Sequence, residues 1–118
     1  MSEPVVVTEV RNRSLWIRLN RPDAMNSLTP EVLQAIDKGL DQALESNDVM
    51  TVVLTGTGRA FCAGADLKYV RGQLGENGTN AFLAGVLRTM SRLDRFPKPV
   101  IASLNGITLA GGLELVLC

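Results

Sequence analysis

From Val5 to Val10 the chain is rich in β-branched residues, and after Arg11, Asn12 and Arg13 a second stretch alternates. Leu15, Ile17 and Leu19 fall on one face of it, Trp16 and Arg18 on the other. That period of two is the pattern of a half-buried strand, and the short polar interruption predicts an antiparallel hairpin. Pro22 and Asp23 favour a turn after it. Thr29-Pro30-Glu31 then has the form of a helix start, with a hydroxyl cap, proline at the first helical position and an acid in the first turn. Val32, Leu33, Ile36, Leu40, Ala43 and Leu44 follow at helical spacing, so one face is apolar until Ser46-Asn47-Asp48. Thr51 to Thr55 is a continuous apolar run, typical of a strand covered on both faces. Gly72, Gly75 and Gly78 predict a flexible loop. A second amphipathic helix is expected from Thr79 or Asn80, with Leu83, Val86, Leu87, Met90 and Leu93 inward, ending at Pro97-Lys98-Pro99. Val100 to Leu104 reads as another buried strand, Asn105-Gly106 as a turn, and Gly111-Gly112 as the opening of a last apolar stretch.

The order is therefore β-β-α-β-(loop)-α-β-(α). Strands separated by helices predict an α/β fold with parallel crossovers. The 118 residues suit a single domain. Leu113 to Cys118 is apolar, without a cap or polar stop, which suggests a fragment or one piece of a nicked protein.

Charge and composition mainly exclude. Twelve basic residues balance twelve acidic ones, so nothing points to a nucleic-acid partner. No histidine is present, which removes Ser-His-Asp and Cys-His systems and histidine metal clusters from this chain. Cys62 and Cys118 are too few for a disulfide scaffold or a zinc finger; they suit a reducing, cytoplasmic setting. Glu3, Glu9, Arg11, Arg13 and Arg18 leave no secretory h-region in residues 1–20, and no apolar run is long enough to predict a membrane span.

Three segments could carry chemistry. Gly56-Thr57-Gly58-Arg59-Ala60-Phe61 follows a strand, but Phe61 stands where a dinucleotide fingerprint needs its third glycine, and no helix pattern begins there. Ala60 to Lys68 places small residues around Gly64, so its backbone N–H groups could hold an anion or a developing oxyanion; a tight structural turn uses the same residues. Gly111 and Gly112 sit where a helix begins and its amides and dipole favour negative charge. Glu114 falls in that first turn among apolar residues. It suits proton transfer near neutral pH, or merely complements the dipole. Cys62 reads as a small buried hydrophobe, Asp66 and Lys68 as loop charges, and Trp16 as hairpin packing.

Together these segments resemble the crotonase (enoyl-CoA hydratase/isomerase) superfamily, in the right order and over nearly the whole chain. Leu19-Asn20-Arg21-Pro22 with Asn26-Ser27-Leu28 resembles its N-terminal signature. Ala60-Phe61-Cys62-Ala63-Gly64-Ala65-Asp66-Leu67 resembles its first oxyanion-hole and CoA-binding loop. Lys98-Pro99-Val100-Ile101-Ala102 through Gly111-Gly112-Leu113-Glu114-Leu115 resembles the second. The resemblance implies the N-terminal part of a spiral of ββα units that holds acyl-CoA between successive turns. It implies oxyanion donors at the N–H groups of Ala65 and Gly111, and backbone around Ala63, Asp66 and Leu67 lining the adenine and pantetheine site. Glu114 matches the first of two catalytic glutamates. Ala110 stands where many members have glycine. The second glutamate, the later turns and the C-terminal helices of the family fall beyond Cys118. The implied activity is a lyase or isomerase of fatty-acid metabolism acting on an acyl-CoA thioester. It has no metal and no tightly bound cofactor, coenzyme A entering as part of the substrate. A trimer or dimer of trimers is implied for the complete protein. The alternatives are a noncatalytic acyl-CoA-binding scaffold and an inactive fragment of such an enzyme.

Overall fold

The structure is a computed structural model, and it describes residues 3–66, 68, 72, 75–109 and 112. β1 (Val6–Arg11) and β2 (Ser14–Leu19) form the expected hairpin, with Val6 opposite Leu19 and Arg11 opposite Ser14. Asn12 and Arg13 at its tip have φ of 50° and 68°, the left-handed pair that a two-residue turn between right-twisted strands requires. Across the hairpin the Arg11 guanidinium lies 4.4 Å from the centre of the Trp16 ring.

α1 (Pro30–Glu45) starts where the sequence placed it, with Thr29 Oγ1 accepting from the Val32 N–H at 3.3 Å. Its far end is closed from a distance. Lys98 Nζ donates to the carbonyls of Ala43, Ser46 and Val49 at 2.6, 3.0 and 2.7 Å. A cation there satisfies carbonyls the helix cannot and opposes the negative end of its dipole.

β3 (Thr51–Gly56) runs parallel to β2, with Leu15 beside Val52 and Ile17 beside Leu54. Next come β4 (Ala60–Cys62) and, further along, α2 (Gly75–Asp94). β5 (Val100–Ala102) then returns parallel to β3, and β6 (Ile107–Thr108) parallel to β4. The first sheet has the order β1-β2-β3-β5; β4 and β6 make a second. A single parallel bridge from Leu28 to Ala65 extends that second layer. Each turn of chain thus sends one strand to the first sheet and the next extended piece to the second: β2 then Leu28, β3 then β4, β5 then β6. The α/β class with parallel crossovers is observed, arranged as a two-layered ββα spiral.

Leu15, Ile17 and Leu19 meet Val32, Ile36 and Leu40 of α1 in the core, with Leu28, Val52, Leu54 and Phe61 behind them, all nearly or fully buried. Each contributes about 1.5–3 kcal/mol by leaving water.

Three expectations are corrected. The predicted glycine loop is helix: α2 begins at Gly75, not at Thr79 or Asn80, and runs through Gly78, while Lys68 and Gly72 also have helical backbone. Glycine costs a helix about 1 kcal/mol relative to alanine. Gly78, Ala81 and Gly85 line the groove that α2 forms with Pro30, Leu33 and Gln34 of α1. The inward face of α2 keeps the expected Val86, Met90 and Leu93 but shifts from Leu83 and Leu87 toward Phe82 and Thr89. Phe82, Thr89, Met90 and Leu93 are buried, whereas Leu83 and Leu87 are 48% and 66% exposed. Thr89 donates to the Asp37 carboxylate and Arg92 to the Asp37 carbonyl, so polar ties to α1 set the shift. Finally, β5 is shorter than Val100–Leu104 and is not a buried strand: it lies at the sheet edge, and Ile101 is 52% exposed.

Candidate functional site

The segment after β4 is held by all three turns of the spiral. Gly64 takes a left-handed φ of 107°, open to glycine without strain, and turns the chain there. Four successive amides then go to different places. The Ala63 N–H donates to Met25 O at 3.1 Å, and the Asp66 N–H to Leu28 O at 2.8 Å. The Gly64 N–H lies toward the Cys62 thiol and favours its ionised form. The Ala65 N–H has no acceptor among the described residues. The bridge explains why. Leu28 donates to Gly64 O at 2.7 Å and accepts from Asp66, so the Ala65 amide between them faces away from Leu28. On that far side, among the described residues, the last pairing of the neighbouring strand with β4 is at Leu109, whose N–H reaches Cys62 O at 3.1 Å. A backbone donor left over in this way is what an oxyanion site needs, since unpaired amides are rare in folded proteins.

Two asparagines fix the turn beneath this loop. Asn26, 1% exposed, accepts from the Arg21 N–H at 2.7 Å and donates to Thr57 O and Ala60 O at 3.0 and 2.8 Å. Asn105, from the next turn, accepts from the Gly56 N–H at 3.0 Å and donates to Gly58 O and the same Ala60 O at 2.8 and 2.9 Å. Gly56 must be glycine here: a Cβ would stand 2.9 Å from Asn26 Nδ2 and 2.7 Å from two carbonyl oxygens.

Asp66 is not a free loop charge. Its Oδ2 accepts from Arg21 Nη2 and from Ser27 Oγ, each at 3.3 Å. Arg21 Nη1 donates to Ser27 O at 2.8 Å. Sequence spacing could not show this, because Arg21 and Asp66 meet only through the fold.

Cys62 is the buried hydrophobe expected, and burial pushes its thiol up despite the nearby Gly64 N–H. Gly112 packs onto it: a Cβ there would overlap Cys62 O. The Gly112 N–H donates to Leu109 O at 2.8 Å, so this amide is not available to a ligand. Of the expected site residues, Ala63, Ala65 and Asp66 lie together in this loop. Leu67, Gly111 and Glu114 fall outside the described residues. No group of acids and cysteines able to hold a metal occurs among the described residues. No helix among them is long and apolar enough to cross a membrane. A groove of about 300 Å³ between α1 and α2 contains no residue of the Ala63–Asp66 loop.

The family model for enoyl-CoA hydratase/isomerase matches residues 14–117. The chain belongs to the enoyl-CoA hydratase/isomerase family. YngF of Bacillus subtilis is 41% identical over 118 residues, covering 99% of this chain and 45% of that protein. The short-chain-enoyl-CoA hydratase of Clostridium acetobutylicum is 32% identical, covering 95% and 43%. Among solved structures, an enoyl-CoA hydratase from Bacillus anthracis superposes with a TM-score of 0.89 at 37% identity, covering 96% of this chain and 44% of that one. The Pseudomonas aeruginosa protein PA4980 superposes with a TM-score of 0.90 at 35% identity, covering 100% and 52%. The chain thus spans about half the length of these relatives and carries the N-terminal portion of their crotonase-type spiral.

Proposed function

We propose that this chain forms the carbonyl-polarising half of an acyl-CoA enzyme of the enoyl-CoA hydratase/isomerase type. The observation that carries the reading is the Ala65 amide, which has no acceptor among the described residues while the amides of Ala63 and Asp66 are engaged. The Ala65 N–H, with that of Gly111, donates to the thioester oxygen as negative charge gathers there. Each such donor is worth about 3–4 kcal/mol in the transition state. Backbone at Ala63, Asp66 and Leu67 lines the coenzyme A arm of the substrate.

Hydration then needs one water and one proton position. The Glu114 carboxylate takes a proton from water, whose oxygen bonds to the β-carbon of the enoyl thioester. The electron pair of the double bond moves toward the carbonyl, giving an enolate held by the two amides. Protonation at the α-carbon completes the addition. The second carboxylate of the family comes from further along the protein, as do the contacts of a trimer. No histidine, metal or covalent nucleophile is needed for this sequence of steps.

The test is turnover of an α,β-unsaturated acyl-CoA, followed by loss of its enone absorbance, in the full-length protein. Glu114→Gln should lower kcat by at least about 10²-fold with little change in KM. An unchanged kcat would remove Glu114 from the mechanism, and binding of acyl-CoA without turnover by the wild type would favour a scaffold.

A further inference from the structure

The Ala65 donor is useful only if it points at one place, and the structure shows what aims it. Leu28 holds the backbone on either side of Ala65 through its N–H and its C=O. Both ends of that bridge are gripped by one side chain. On the Leu28 side, Arg21 Nη1 donates to Ser27 O at 2.8 Å, one residue before the bridge. On the Ala65 side, Arg21 Nη2 donates to the Asp66 carboxylate at 3.3 Å, one residue after it. Ser27 Oγ closes the triangle to the same carboxylate oxygen. Arg21 is itself fixed at the backbone, its N–H held by Asn26 Oδ1 and its C=O accepting from the Asn26 N–H at 2.9 Å. The fork therefore spans from a rigid anchor to both strands of the bridge.

We propose that Arg21 is the positioning residue for the Ala65 amide, setting its direction through Ser27 and Asp66. This rests on reading Ala65 as the thioester donor. The geometry requires arginine. Two nitrogens of a planar fork reach two acceptors on different strands at once, which the single ammonium of lysine cannot reproduce. Fold stability is a poor explanation for the arrangement. The same loop is already tied by the Met25 and Leu28 bonds, and partly exposed ion pairs contribute little. Direction is another matter. An oxyanion donor acts over a few tenths of an ångström, and a misplacement of about 1 Å costs on the order of a hundredfold in rate.

Two readouts in the full-length protein test this. One is kcat and KM on an unsaturated acyl-CoA. The other is the carbonyl stretching frequency of a bound saturated acyl-CoA labelled with ¹³C at the thioester carbon, which reports hydrogen bonding without turnover. Arg21→Lys and Asp66→Asn should each lower kcat by about tenfold to a hundredfold with KM little changed. Each should also move the carbonyl frequency back toward its solution value at an unchanged folded fraction. Millimolar guanidinium should restore both readouts in Arg21→Ala, and methylammonium should not. Arg21→Lys with wild-type kcat and wild-type frequency would overturn the proposal, as would losses that only track unfolding. Replacing Ala65 by lactic acid, which turns the N–H into an ester oxygen, separates the two claims. If that change leaves both readouts intact, the donor reading itself is wrong. If it abolishes them while Arg21→Lys does not, the donor stands and Arg21 does not aim it.

Discussion

Replacing Asn26 by alanine should destabilise the protein far more than the same change at Asn105, although each amide makes three hydrogen bonds. The difference is burial. Asn26 is 1% exposed, and its loss leaves the part-buried Arg21 N–H and Thr57 carbonyl without their partner. Each buried group left unpaired costs about 1–3 kcal/mol. Ala60 O keeps its bond from Asn105 and adds little. Asn26 also has φ of 55°, a conformation asparagine tolerates and alanine resists by about 1–2 kcal/mol. The sum is at most roughly 3–8 kcal/mol, whose upper end is comparable to the whole stability of many domains. Asn105 is exposed, and water can replace it, so its alanine variant should lose only about 0.5–1.5 kcal/mol. The assay is urea unfolding of the two variants, with an unchanged slope confirming that midpoints report stability. The double variant adds a second check. With both amides gone, Ala60 O loses both side-chain donors, so the double loss should exceed the sum of the single ones. Equal costs for the two single variants would refute the reasoning, because burial would then not be the deciding quantity.

Three further outcomes are expected. Lys98→Met keeps the length of the side chain but uncaps three carbonyls at the end of α1, and should cost about 2–3 kcal/mol; a loss under about 0.5 kcal/mol would mean water replaces the ammonium freely. Because burial pushes the Cys62 thiol above its ordinary value, its stabilising contribution is complete below the unfolded thiol's value and is lost as pH rises through the folded one; urea midpoints should therefore fall faster on alkalinisation in wild type than in Cys62→Ala, and parallel curves would refute it. Gly112→Ala places a methyl group on the Cys62 carbonyl and should cost at least about 1–3 kcal/mol, whereas Gly72→Ala, helical and with none of the described residues near its Cβ, should be neutral or stabilising by up to about 1 kcal/mol; thermal melts of the pair decide.

What could be read in advance was what is local. The alternation of Leu15, Ile17 and Leu19 placed β2, and Thr29-Pro30-Glu31 placed the start of α1, because each signal acts within a few residues. The start and facing of α2 could not be read that way. Its glycines signal a loop when considered alone, and its leucines outnumber Phe82, yet contact with α1 decides both. Lys98, Asn26, Asn105 and Arg21 were likewise invisible as structural groups, since their partners lie in other turns of the spiral. Ala65 was singled out by resemblance. That its amide has no acceptor among the described residues, while those of Ala63 and Asp66 do, follows only once Met25 and Leu28 are seen to take them.

Successive turns of the second layer touch through main chain at glycine. Gly106 lies on the Arg59 carbonyl and Gly112 on that of Cys62, with no room for even a methyl group at either place. The thread pitch of this screw is therefore metred by peptide units and not by side-chain volume. Side chains elsewhere can drift through mutation without changing the spacing between one turn and the next. A donor amide from the second turn and another from the third would keep their separation across sequences that share little else, provided those two glycines stay.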